Sequence, residues 1–341
     1  MLKKYGISEE KIFNVPVIAT MSSGKSTFIN ALLGEDLLPS KNQACTARIL
    51  PIIDKDNMEN FSANVIYKSG ERRTVMLSNE EISDFNNDST IENLLIEGDI
   101  KGIKNYSKSL VIYDTPGANF SGDVTHQEIT YDFISKFKKG LLIYLINATQ
   151  FGINDDKELL ENVIDKVNKS NGKIEVLYVV NKIDQFDIEK EDIKETIKEI
   201  KQYLINTGAN KPKIIPISAL AAKVFKKVIA EKELSRRDLR DFYNYYELFE
   251  PKEYCLSRYA ILDEEEKGEM VKIGGEKIEK ASIIQAINNT GITLVEDTID
   301  SYLKMQDKID DKEITMKNKS NNKAIKIQSS NRSRKKRKKK K

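Results

Sequence analysis

The stretch VIATMSSGKSTFINALLG, residues 17–34, decides how this chain is read. An apolar run from Phe13 ends at Ala19, a short polar loop follows, and from Gly24 to Leu33 the apolar residues return with the period of a helix that stops at Gly34. Strand, loop and helix in that order, with Gly24, Lys25 and Ser26 at the helix start, make a phosphate-binding loop of the form G-x-x-x-x-G-K-[ST], with Ala19 in place of its first glycine. Such a loop works because successive backbone N–H groups wrap around a phosphate at the positive end of a helix. Gly24 lets the backbone come close, Lys25 brings charge to the β and γ phosphates, and the Ser26 hydroxyl ligates Mg²⁺. Ser22, Ser23 and Thr27 complete the small, polar nucleotide-binding set. Ala19, at the last strand position, adds only a methyl group, so the loop is expected to work.

Three later strand ends repeat this placement. SLVIYDTPG, residues 109–117, sets Asp114 at the end of an apolar run, where an acid holds the Mg²⁺ water, and Gly117 where its amide can reach a γ-phosphate. NKID, residues 181–184, closes the run IEVLYVVN. Asp184 there can accept hydrogen bonds from guanine N1–H and the exocyclic amine, a donor pair that adenine lacks. The aliphatic stem of Lys182 can lie over the base, and Asn181 can tie this loop to the phosphate loop. Ser218 and Ala219, in PISAL, close KIIPIS, where a backbone amide can meet guanine O6. Four loops, each after a strand and in the order phosphate, metal, base, base, imply a domain that binds GTP and GDP with Mg²⁺.

The rest of the pattern agrees with an α/β chain. Apolar runs recur at ILPII (49–53), SANVIYK (62–68), GLLIYLIN (140–147) and the runs already quoted, with helical stretches at 125–138, 155–170 and 189–206. This alternation predicts a P-loop GTPase fold, a largely parallel sheet with helices on both faces, made mixed by a hairpin near residues 61–76. Residues 1–220 are expected to form this domain and 221–280 a helical insertion. Residues 281–305 read as two helices around Gly291 that pack back on the domain, and 306–341 as a disordered tail with a polybasic end.

Composition sets the limits. With 39% hydrophobic and 32% charged residues the chain reads as globular, and no apolar run approaches the roughly 20 residues of a membrane span. The expected compartment is the cytoplasm. Cys45, Cys255 and the lone His126 cannot build a disulfide framework or a Cys/His zinc site. His126 reads as a helix-start histidine and the tyrosines of FYNYYELF, residues 242–249, as core or partner-facing. The net charge of +3 conceals nine Lys or Arg in the last ten residues, RSRKKRKKKK; subtracting those nine leaves the remainder at −6.

On MSSGKSTFINALLGEDLLPS (21–40), NQACTARI (42–49), YDTPG (113–117), NKID (181–184) and GITLVEDTIDSYL (291–303), the chain resembles the dynamin-like GTPases, bacterial members above all. The resemblance implies that Thr46 is the switch threonine that completes the Mg²⁺ shell and orients the attacking water. It implies that Lys25, Ser22, Thr46 and Gly117 serve catalysis, Ser22 by neutralising developing charge, in some members with a monovalent cation. Met21 stands where several members carry a polar residue, and the residues before Thr46 lack their glycines. The family further implies slow hydrolysis, quickened when G domains pair as a homodimer. Little more than 35 residues follow Leu303, so the long helical stalk of membrane-reshaping members is not expected in this chain. The basic tail suits an anionic membrane, at about 1 kcal/mol per basic residue, or nucleic-acid phosphates, with a solvated, solubilising end as the alternative; a larger dynamin-like partner is a further expectation. The rival reading is a regulatory switch of the ribosome-assembly type whose tail meets nucleic acid, here RNA.

Overall fold

The computed structural model describes residues 2–20, 22–39, 48–77, 81–117, 124–152, 154–187, 192–251, 254–262 and 280–309. The polybasic end lies outside the described residues. In chain order the elements are β1 (Ile12–Ala19), α1 (Lys25–Leu33), β2 (Leu50–Asp54), β3 (Ser62–Tyr67), β4 (Arg72–Met76), α2 (Glu81–Asn87), β5 (Ile91–Gly98) and β6 (Ser109–Asp114). They continue as α3 (Val124–Lys136), β7 (Gly140–Asn147), α4 (Asn154–Asn168), β8 (Ile174–Asn181), α5 (Ile193–Asn206), β9 (Lys213–Pro216), α6 (Ala219–Ile229), α7 (Arg236–Phe249) and α8 (Lys280–Asn289). A last helix, α9, spans 292–309.

The strands make one sheet in the order β4-β3-β5-β2-β6-β1-β7-β8-β9. From β6 to β9 all neighbours are parallel. The runs GLLIYLIN of β7 and IEVLYVVN of β8 are almost wholly buried, as strands with both faces covered must be. Register aligns their ends. Val17 of β1 lies opposite Asp114 of β6, and Asn147 of β7 opposite Asn181 of β8, so the loops that follow open on one edge. In the other half β2 runs antiparallel to β6 and β3 antiparallel to β5, while β3 and β4 form the expected hairpin. On one face of the sheet, across β1, β6, β2 and β5, Ile12, Val111, Tyr113, Ile53 and Leu95 form a smaller apolar cluster with Leu2 of the chain's first turn, Leu2–Tyr5.

Packing extends the main core past residue 220. The face of α6 that carries Ala219, Ala221, Ala222, Val224 and Phe225 is buried and lies against α1, α7 and α8. The expected boundary at 220/221 therefore falls within the first turn of a core helix. Asp36, just past α1, accepts from Lys223 and Lys227 at 2.8 and 2.9 Å, and Lys227 also reaches Asp238 of α7 at 2.8 Å. Burial alone would raise the Asp36 carboxyl, but these two lysines outweigh it and hold it below the usual carboxylate range. Ser235 and Asp238 form a reciprocal capping box that starts α7.

Helices α8 and α9 meet at Gly291, at φ 79°, where a Cβ would lie 2.3 Å from the Pro216 carbonyl oxygen of β9. The neighbouring Ser218 N–H donates to Thr290 O at 3.0 Å. Helix α9 continues to residue 309 rather than ending near 305, since Asp307 accepts from Ser107 N at 3.1 Å and from the Ser107 hydroxyl. Strand β5 and helix α2 had no counterpart in the sequence reading. Among the described residues no helix is long and apolar enough to cross a membrane.

Candidate functional site

The site lies at the edge where β1, β6, β8 and β9 end. Ser22 at φ 60° and Gly24 at φ 86° are left-handed residues on either side of the buried Ser23, a geometry that turns successive N–H groups toward one point. Thr20 and Ser23 share a hydroxyl hydrogen bond at 3.0 Å. Gly24 is required twice over, because besides its φ a Cβ there would lie 2.6 Å from Asn181 Nδ2. Ser26 and Thr27 follow Lys25 in the first turn of α1.

Asn181 is the joint of the site. Buried at the end of β8, it donates from Nδ2 to Ser23 O at 2.9 Å and accepts at Oδ1 from Ala219 N at 3.0 Å. One side chain thus binds the phosphate loop to the start of α6. Ser218 caps that helix by accepting from Ala221 N at 3.3 Å. It also hydrogen-bonds Asp184, whose carboxyl is pushed up by burial and drawn back by Ser218, Tyr245 and Lys182. Lys182 takes φ 70°, and partial burial of its side chain lowers its pKa. A half-buried lysine of this kind has an apolar stem available for packing.

Lys25 Nζ is hydrogen-bonded to Asp114 Oδ1, with the two side chains 9% and 1% exposed. The cation assigned to phosphate and the acid assigned to metal therefore converge. Asp114 is followed by Thr115, which donates to Val17 O at 2.8 Å, while Thr130 of α3 donates to Pro116 O at 2.8 Å. These two threonines fix the turn that leads to Gly117. The structure thus brings Ser23, Gly24, Lys25, Asp114, Asn181, Asp184, Ser218 and Ala219 to one edge. Thr46 and Met21 lie outside the described residues, so their expected roles have no geometry here.

Three residues that sequence reasoning passed over shape the site. Asn30, fully buried on α1, accepts from Leu37 N and Leu38 N at 3.2 and 2.8 Å and donates to Leu38 O at 2.7 Å, holding the LLP segment that enters residues 40–47. A lone polar residue inside FINALL was the available signal. Thr115 was readable only as part of its turn. Tyr245 of α7, whose hydroxyl donates to Asp184 Oδ2 at 3.3 Å, comes from 61 residues away and left no local signal.

Residues 15–183 match the family model described as the Dynamin family. The chain is 25% identical over 251 residues to an uncharacterized protein in the xynA 3′ region of Caldicellulosiruptor sp. strain Rt8B.4, covering 69% of this chain and 57% of that one. It is 25% identical over 277 residues to Dynamin-like protein 1 of Campylobacter jejuni subsp. jejuni strain 81-176, covering 68% of this chain and 36% of the relative. Among solved structures it is similar to an oligomerised bacterial dynamin pair described for long-range sensing and tethering of membranes, with a TM-score of 0.47 and 22% identity over 74% of this chain and 47% of that one. The chain spans between about a third and somewhat more than half of the length of these proteins. With the loops after β1, β6, β8 and β9 assembled on one sheet edge and a family match running from β1 into the NKID loop, this chain belongs to the dynamin-like GTPase family.

Proposed function

We propose that this protein binds GTP with Mg²⁺ and hydrolyses it to GDP and phosphate, faster when two G domains pair across their nucleotides. The observation that carries this reading is the pair of hydrogen bonds that Asn181 donates to Ser23 O and accepts from Ala219 N, which makes the phosphate and base loops a single unit. A chance GKS motif would need no such joint. Lys25 would hold the β and γ phosphates, Asp184 the guanine N1–H and amine, and the Ser218 to Ala219 backbone guanine O6.

Asp114 and Ser26 would hold Mg²⁺, and their carboxylate and hydroxyl oxygens suit a hard cation. The buried carboxylate of Asp114, paired with Lys25, supports this fit. Mg²⁺ supplies neutralisation of charge on the β and γ oxygens. Thr46 would order the attacking water, and the Gly117 amide would sense the γ-phosphate. Ala118 follows Gly117, and its methyl group cannot orient water, which supports a need for a pairing partner. The basic tail supports action at an anionic membrane or beside a larger dynamin-like partner.

GTP turnover measured against protein concentration, with and without anionic liposomes and with Lys25→Ala as the inactive control, tests the reading. Turnover per molecule should rise with concentration. A rate that stays flat over a wide concentration range counts against pairing, and turnover equal to that of Lys25→Ala counts against hydrolysis.

A further inference from the structure

At the end of the sheet away from the nucleotide, three acidic side chains converge. Leu50 of β2 lies opposite Asp114 of β6 in an antiparallel pair, so β2 runs away from the nucleotide edge and delivers Asp54 to the opposite one. Strand β5 runs parallel to β2 with Gly98 opposite Asp54, which sets Asp99 beside it. The next loop brings Asp56. One carboxylate oxygen from each of Asp54, Asp56 and Asp99 lies within 4.8 Å of the others.

Asp54 supplies the second, independent observation. Its side chain is 0% exposed, yet of its two oxygens Oδ1 accepts from Ile100 N at 2.9 Å while the buried Oδ2 has no hydrogen-bond partner among the described residues. A buried carboxylate oxygen without a donor is costly unless something else meets it. The groups around it are partly committed already. Asp99 Oδ2 accepts from Lys101 Nζ at 2.6 Å and from Asn57 N at 3.2 Å, and Asp56 Oδ1 accepts from Asn105 Nδ2 at 3.0 Å. Those donors orient two of the carboxylates and leave Asp54 Oδ2 unserved.

We propose that Asp54, Asp56 and Asp99 form a binding site for a hard divalent cation of Ca²⁺ size, separate from the nucleotide site. All three donors are carboxylate oxygens, the ligands such ions take. Three protein carboxylates favour Ca²⁺, whereas Mg²⁺ keeps several of its waters and is usually held by one or two carboxylates. The cation would brace the root of the loop over residues 99–108. That loop also carries Tyr106, whose hydroxyl donates to Asp300 of α9 at 2.9 Å, and Ser107, bonded to Asp307. Cation binding would thus stiffen the contact between the sheet and α9.

Titration calorimetry of CaCl₂, and separately MgCl₂, into the full chain stripped with EDTA tests this. One Ca²⁺ should bind with a Kd in the range of roughly 10⁻⁵ to 10⁻³ M, more tightly than Mg²⁺. Asp56→Asn, at an exposed position where folding is not at stake, should weaken it at least tenfold. Asp114→Asn should leave it in place, and Lys101→Ala, which removes the competing ammonium, should tighten it. No Ca²⁺ binding at millimolar concentration, equal binding by Asp56→Asn, or loss with Asp114→Asn would each overturn the proposal. Loss in Asp114→Asn would assign the ion to the nucleotide site instead.

Discussion

From β6 to β9 the strands run parallel, both faces are covered, and polar side chains gather where the strands end. From β4 to β2 the sheet is mixed, with β3 antiparallel to both β4 and β5 but β5 parallel to β2, and the edge strand β4 has four of its five residues exposed. The difference comes from burial. A strand covered on both faces admits polar residues only at its end, so Asp114, Asn181 and Ser218 stand out against apolar runs. In the other half polar and exposed residues interrupt β4 and β5, and Asp56 and Asp99 lie in the loops past β2 and β5, so the acidic cluster at Asp54 does not stand out.

The strongest way to break this contrast is to remove chemistry from the parallel half. Lys25→Ala should lower GTP turnover by about 10² to 10³-fold, the effect of deleting one electrostatic stabiliser, as measured by phosphate release. Retained turnover would mean that this edge is not the reacting one. Stability should divide the same way. Leu145 of β7 is fully buried, so Leu145→Ala should cost about 3 kcal/mol in urea unfolding, against under about 1 kcal/mol for Val75→Ala on β4. Equal losses would show that the two halves share one level of burial.

Asn181→Ala strands Ser23 O and Ala219 N without the partner each has now. The expected cost is about 2 kcal/mol, or roughly 30-fold in GDP affinity, read by fluorescent-nucleotide titration. A change confined to stability, with affinity intact, would make Asn181 a scaffold residue only. The smallest effect concerns the Asp36 clamp. Its carboxyl is held below its unfolded value, so its contribution is present above the ordinary carboxylate range and disappears as pH falls through the folded value. The stability advantage of the native protein over Asp36→Asn should therefore be measurable by urea unfolding at pH 6 and shrink as pH falls below the ordinary carboxylate range.

Legibility followed the same division. The strand at 109–114, the buried runs of β7 and β8 and the hairpin near 61–76 could all be read from apolar patterning, since each is bounded by turns and rich in β-branched or aromatic residues. Strand β5, IENLLIEG, could not, because its acids and asparagine carry little strand preference and Leu94, Leu95 and Ile96 are consecutive rather than alternating. It is the two neighbouring strands that make it a strand. The motif residues were legible because their chemistry sits in contiguous loops. Tyr245 and the Asp54 cluster were not, since only the fold brings Tyr245 to Asp184 and Asp99 to Asp54. The division at 220/221 followed a change in composition, while the buried face of α6 follows the core.

The corner at Gly291 carries a consequence for hydrogen exchange. The Ser218 N–H is committed to Thr290 O, and Pro216 is covered by the glycine backbone. Deuterium can reach that amide only when the corner between α8 and α9 lifts from β9. The exchange rate at Ser218 is therefore a clock for that lifting, and a nucleotide that stiffens the base loop should slow it, linking guanine at one end of β9 to the two C-terminal helices.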